Sequence, residues 1–386
     1  MINKKVFGLA LSGGGVRAAA FHLGVLDKLF ELNLIDKIDV ISTVSGGSII
    51  GAFYCLNKNN FEEFKNNLIH KLNKSIEIRI IFNWRILLAI VLPRYSRTDI
   101  LANIYNKLYY ENKCLSDVEH NPKLIINATN LASGKNWKFS QGYMGDWKIG
   151  YEGNIEKLKV STAVAASSAV PGIFYPIQIK TDNYFGKTNY RLKRIPLCDG
   201  GVYDNQGLHS LLSDFDENIK CDYIICSDAS APFNDSPNKI SSKIINVLLR
   251  QNDIMMARIK NMQFQDAIYG QHKNKIKAAY FSINWDVNNL IKSYCDQEDL
   301  CKKLGFNDLR IKYNNEKDLK KIERIEMMIK NKLNYPEFDK VLNNTEIKHV
   351  SSIGTRLYKL STNDISLLMR HGSTLCGIQV KTYLLN

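Results

Sequence analysis

The sequence predicts a three-layer α/β/α domain built on a mixed, mainly parallel sheet. Three observations carry that expectation. Residues 6–11 form a short apolar run that ends in a polar residue and glycines, then passes into helical spacing. Residues 40–44 repeat the plan. Two later apolar runs, 196–198 before Asp199 and 223–226 before Ser227, read as further buried strands.

The first turn reads Ser12-Gly13-Gly14-Gly15, and Phe21, Val25, Leu29 and Leu32 follow at helical spacing. Consecutive glycines let the backbone bend and turn its N–H groups toward one point at a helix N-terminus, where negative charge is stabilised. Such a loop binds a phosphate or an oxyanion. Gly13-x-Gly15-x-x-Ala18 also fits the loose dinucleotide fingerprint, but the second strand ends in Thr43-Val44-Ser45, where that reading wants an acidic residue. No Lys-Ser or Lys-Thr pair follows the glycines, which argues against a P-loop.

In the second turn, Ser45 ends strand 40–44 and the small-residue stretch 46–56 continues as a helix. A serine on such an elbow exposes its hydroxyl above the C-terminal edge of the sheet, provided that its neighbours are small. Gly46 and Gly47 meet that need, and Thr43 meets it in part. A serine nucleophile needs a base, and Asp199, followed by Gly200 and Gly201, is the first candidate. The plain alternative is an aspartate in a glycine turn. Asp228 is the fallback base, and Cys198 reads as a buried strand thiol. A Ser-Asp-His triad would draw on His209, His272, His349 or His371, all after Asp199, while His22 reads as structural.

Ser12-Gly13-Gly14-Gly15-Val16-Arg17, the elbow Ser45-Gly46-Gly47-Ser48 and Asp199-Gly200-Gly201 resemble, in order and spacing, the three blocks of the patatin-like phospholipase family. Asn127-Ala128-Thr129-Asn130-Leu131 before a hairpin, the stretch from Ala165 to Phe174, and Tyr203-Asp204-Asn205-Gln206-Gly207 are similar to the family as well, so the likeness covers about residues 5–230. The resemblance implies the patatin-like fold and a Ser45-Asp199 dyad without histidine. It also implies that the Gly13, Gly14 and Gly15 amides hold the oxyanion, and that Arg17 steadies that loop or helps with an anionic substrate. Where the family has glycine this chain has Thr43, so a slightly strained or shifted elbow is expected. The implied activity is phospholipase A-type hydrolysis of membrane lipid esters. A gated effector that binds lipid or nucleotide in the same cleft is the alternative from another class.

The chain has 386 residues, 45% of them hydrophobic, and no Pro- or Gly-rich linker or repeat divides it. One domain over 1–386 is therefore expected, with a charged insertion at about 286–345. Eight scattered cysteines without a CxxC pair predict neither disulfides nor a zinc site, and no cofactor or metal is expected. With no signal-like segment before the first strand, a cytoplasmic protein is expected. A net charge of +14 favours anionic partners, here a peripheral anionic membrane surface, since no nucleic-acid motif accompanies it.

Segment 76–97 is rich in Ile and Leu but is broken by Asn83 and Arg85, so it is not a membrane span. It fits a buried helix, a flap over the acyl cleft, or an interfacial segment with Trp84 at headgroup level. Further helices are expected at 239–267, 317–332, 355–360 and 364–376, and a strand at 278–283.

Overall fold

The computed structural model describes residues 5–73, 97–181, 193–212, 221–232, 244–269, 276–295, 297, 302, 319–354 and 359–385. In chain order the strands are β1 (Phe7–Leu11), β2 (Val40–Val44), β3 (Lys123–Asn130), β4 (Lys135–Phe139), β5 (Met144–Asp146), β6 (Gly150–Glu152), β7 (Ile177–Lys180), β8 (Arg194–Asp199), β9 (Tyr223–Asp228) and β10 (Lys277–Ser282). The helices are α1 (Gly15–Glu31), α2 (Gly46–Asn57), α3 (Phe61–Asn73), α4 (Arg97–Tyr105), α5 (Val160–Ser167), α6 (Gly201–Asp204), α7 (His209–Leu212), α8 (Ile244–Tyr269), α9 (Val287–Cys295), α10 (Leu319–Leu333), α11 (Asn344–Ser352) and α12 (Thr362–Val380).

Alternate residues of the central strands divide between two apolar layers, and this division sets the architecture. In β1, Leu9 and Leu11 join the larger core while Ala10 joins the smaller. β9 separates Ile225 from Ile224 and Cys226 in the same way, and β10 separates Phe281 from Tyr280. A strand with both faces apolar must be covered on both. α1, α2 and α12 supply cover on the larger side, and Leu208 and Leu211 at the start of α7 on the smaller. The sheet is mixed. Its parallel centre runs β10-β9-β1-β2-β3, and antiparallel β4, β5 and β6 extend it beyond β3.

β3 acts as a template for the site. One edge pairs antiparallel with β4 over Ile126–Asn130. The other edge pairs first with parallel β2, ending at Val44 opposite Asn127, and then with antiparallel β8, beginning at Asp199 opposite Ala128. β2 and β8 therefore lie end to end, and their C-terminal residues meet at adjacent positions on one strand. This register brings residue 45 to residue 199 across more than 150 residues of chain.

The later half packs back on this frame. α12 runs along α1 and also touches β10. Buried Glu337 accepts from Lys381 Nζ through both oxygens at 2.8 Å and lies 3.3 Å from Lys28 Nζ of α1. α10 buries Ile325 and Ile329. Lys359 and Leu360 are not helical, in contrast to the helix expected there, and 355–358 lie outside the described residues. So do 76–96, His272 and 303–318, with the readings placed on them. Among the described residues no helix is long and apolar enough to cross a membrane.

Candidate active site

Ser45 sits between β2 and α2 with φ 48° and ψ −113°, a conformation that L-residues rarely adopt. The elbow can form because the two turns touch backbone to backbone. A Cβ on Gly46 would stand 2.2 Å from Gly15 O, and one on Gly47 would stand 2.2 Å from Leu11 O. Gly47 N–H donates to Ser12 O at 3.1 Å, which ties the two turns together.

Thr43 is bonded and packed at the end of β2. Its hydroxyl donates to Ile125 O at 3.1 Å and accepts from Ser48 Oγ at 3.0 Å. The room for its methyl comes from α2, where a Cβ on Gly51 would lie 2.5 Å from Thr43 Cγ2. Bulk on the strand is thus matched by its absence on the helix.

The Asp199 carboxylate accepts Gly201 N–H at 2.7 Å. Asp199 is buried. Burial pushes its pKa up to about 7, and the Gly201 N–H and the nearby Ser45 hydroxyl offset only part of that shift. Gly200 lies against the chain of β3, where a Cβ would come 2.4 Å from Asn127 O.

Of the three expected loop amides, the structure separates one from the others. Gly13 N–H is taken by Asn205 O at 2.9 Å, so Gly13 is a buried support and not an open donor. Gly14 and Gly15 are partly exposed, with φ 146° and 63°, and their N–H groups have no partner among the described residues. The N–H of buried Gly46, which opens α2, also has no partner among the described residues. These amides stand at helix N-termini beside Ser45, where partial positive charge gathers.

Arg17 is 1% exposed. Its guanidinium donates to Ser351 O, Ile353 O and Ala229 O at 3.1, 2.7 and 2.8 Å. These bonds join the start of α1 to two distant backbone segments. Burial lowers its pKa to about 10, so it stays charged at neutral pH.

Two supports carry no chemical signal in the sequence. Ser167 Oγ accepts Ser45 N–H at 2.8 Å, Ser167 O accepts Gly200 N–H at 3.2 Å, and Ala169 O accepts Asp199 N–H at 2.9 Å. Segment 167–169 therefore straps both ends of the pair. Asn205 is the second, since its carbonyl holds Gly13 and its Oδ1 lies where a Cβ on Gly13 or Gly201 would intrude, at 2.3 and 2.7 Å. Both stretches figure in the family resemblance, but an Oγ or Oδ1 aimed at a backbone has no pattern of its own.

His22 and the described triad candidates are engaged elsewhere. His22 is buried between Ser227 Oγ at 2.8 Å and Ser12 O at 3.0 Å, and burial lowers its pKa to about 4. His371 bonds Ile283 O at 2.8 Å, His349 bonds Asp364 at 2.6 Å, and His209 packs on Tyr203. Asp228, the fallback base, is saturated by donors that include Lys260 at 2.5 Å and Tyr280 OH at 2.8 Å. Cys198 is buried and its thiol pKa is pushed up to about 12, which keeps it neutral. Among the described residues no cluster of His, Cys, Asp or Glu is arranged to hold a metal ion.

A doubly covered, mainly parallel sheet with a serine on the turn after β2 and an aspartate at the facing end of β8 defines an α/β protein. The family model "Patatin-like phospholipase" matches residues 9–212, and the chain belongs to that family. A curated relative, triacylglycerol lipase 5 of Saccharomyces cerevisiae, is 26% identical over 254 residues, covering 56% of this chain and 29% of the relative. The chain thus spans less than a third of that relative's length. Human GIVD cytosolic phospholipase A2 superposes with a TM-score of 0.44 at 16% identity, over 58% of this chain and 43% of the other. VipD from Legionella pneumophila gives a TM-score of 0.33 at 12% identity, over 95% and 92%.

Proposed function

We propose that the protein is a lipid acyl hydrolase of the phospholipase A type, with Ser45 as nucleophile and Asp199 as general base. The observation that carries this reading is the register on β3, which ends β2 and β8 at adjacent positions and so sets Ser45 beside a buried carboxylate whose pKa burial raises to about 7. Such a group accepts a proton near neutral pH and can give it back, as a base that turns into an acid must. Ser45 Oγ attacks the ester carbonyl while its proton passes to Asp199. The tetrahedral oxyanion forms against the Gly14 and Gly15 amides, with Gly46 alongside, and Asp199 then protonates the leaving alcohol. Asp199 next takes a proton from a water as that water attacks the acyl carbonyl, and returns it to Ser45 Oγ as the ester bond to Ser45 breaks and the fatty acid leaves.

The net charge of +14 supports an anionic phospholipid surface as the place of work, with the chain acting as one peripheral domain. Lipid mass spectrometry of phosphatidylglycerol and phosphatidylcholine vesicles, and of triacylglycerol emulsions, tests the proposal with the parent, Ser45→Ala and Asp199→Asn. Free fatty acid from the parent alone is expected. Equal release by Asp199→Asn would assign the base elsewhere, and no release by the parent would favour a gated or binding protein.

A further inference from the structure

Asp228 is a buried charge that the proposed mechanism does not use. It is 0% exposed and accepts five hydrogen bonds: Ser230 N and Oγ at 3.0 and 2.5 Å on Oδ1, and Lys260 Nζ, Tyr280 OH and Ser282 Oγ at 2.5, 2.8 and 3.0 Å on Oδ2. A fully buried carboxylate survives only when it is paired and saturated in this way.

Both supports of the glycine loop run back to this carboxylate. On one side Asp228 fixes the turn through Ser230. Inside that turn Ala229 N–H donates to Ser12 Oγ at 2.7 Å, Ala229 O receives Arg17 at 2.8 Å, and the same oxygen abuts Gly14, where a Cβ would come within 2.6 Å. On the other side Tyr280 OH receives Gln206 Nε2 at 2.8 Å, and the neighbouring Asn205 holds Gly13 N–H. Lys260 reaches Asp228 from α8, a helix that also covers the base. Met256, one turn earlier, places Cε 3.2 Å from where a Gly201 Cβ would stand.

We propose that Lys260 is a positioning residue: by clamping Asp228 from α8 it holds the glycine loop and the Asp199 turn in one register, so that the loop amides face the carbonyl that Ser45 attacks. This rests on the hydrolase reading above. Lys260 touches no reacting atom and acts through the loop, so its loss withdraws transition-state stabilisation and leaves ground-state binding in place.

The test uses the full chain, a soluble p-nitrophenyl butyrate substrate, and a fluorophosphonate probe taken to its labelling endpoint so that rates are expressed per reactive serine. In Lys260→Met, kcat per labelled site should fall on the order of ten- to a hundredfold, the scale of a misplacement of about 1 Å, with KM changed less than about twofold. Lys260→Arg should recover most of the loss, and the acid limb of the pH profile should stay where the parent has it. Tyr280→Phe, which cuts the second route but leaves the ion pair, should lower kcat per site by about three- to tenfold, and it serves as the readout if Lys260→Met does not fold. Parent-like kcat per site in both variants would overturn the proposal, as would an arginine variant no better than methionine. A parent that neither labels nor hydrolyses would instead sink the hydrolase reading.

Discussion

Strands β8 and β9 each end in a buried aspartate next to the glycine turns, and the two aspartates differ in their partners. Asp199 has Ser45 and one backbone N–H as partners, so burial dominates and its pKa rises to about 7. At Asp228 burial pushes upward too, but the Lys260 charge and the Ser230 donors outweigh it and hold the group well below the usual carboxylate range. One carboxylate can exchange a proton near neutrality, and the other is a fixed anion. Residue type and burial do not decide which aspartate does chemistry; the supply of donors does.

The largest test of that contrast is catalytic. Asp199→Asn should lower kcat by about 10²–10⁴-fold, the usual worth of a positioned base, whereas Asp228→Asn should leave the pH dependence of the residual activity unchanged. In the parent, kcat/KM should rise with pH through about 7, because the base must be ionised in the free enzyme. A rate profile flat from pH 5 to 8 would remove Asp199 from that role.

Next comes stability, where the two sites should respond with opposite signs. Asp228→Ala leaves Lys260, Tyr280 and Ser282 without their common acceptor and should cost about 3–5 kcal/mol, read by denaturant unfolding. Asp199 has a folded pKa above its unfolded value, so its ionisation is disfavoured in the fold. Stability is therefore complete below about pH 4 and declines as pH rises through about 7. Asp199→Asn removes that titration while keeping an acceptor for Gly201. It should melt higher than the parent at pH 8 by about 1–3 kcal/mol of stability and match it at pH 4. Equal melting temperatures at both pH values would mean that Asp199 is not strained by its burial.

This contrast also marks how far the sequence could be read. Ser45, Asp199 and the glycine loop were legible because each lies where an apolar run breaks into glycine, a pattern with period and punctuation. The short strands β5, β6 and β7 were not, since three or four residues give periodicity little to work on. The division of labour within the loop was hidden too. Gly13 and Gly14 are identical letters, and only the Asn205 carbonyl, 192 positions from Gly13 along the chain, makes one a support and the other an open donor. Asp228 was visible as a strand-end aspartate, but its partner Lys260 sits on a helix where lysine is an ordinary surface residue.

The smallest effect concerns the end of β2, the third strand end at the site, where side-chain bulk takes the place of charge as the variable. If Thr43 is tolerated because Gly51 leaves room for its methyl, the two positions must be coupled. Gly51→Ala alone puts a Cβ 2.5 Å from Thr43 Cγ2 and should cost about 1–3 kcal/mol by overpacking. Thr43→Ser deletes that methyl while keeping the hydroxyl that serves Ile125 O and Ser48. In the serine background Gly51→Ala should cost nothing, or gain up to about 1 kcal/mol from helix propensity, giving a coupling energy of about 1–3 kcal/mol. Unfolding of the four proteins of the cycle measures it. Equal cost in both backgrounds would mean that the elbow makes room for threonine by some other route.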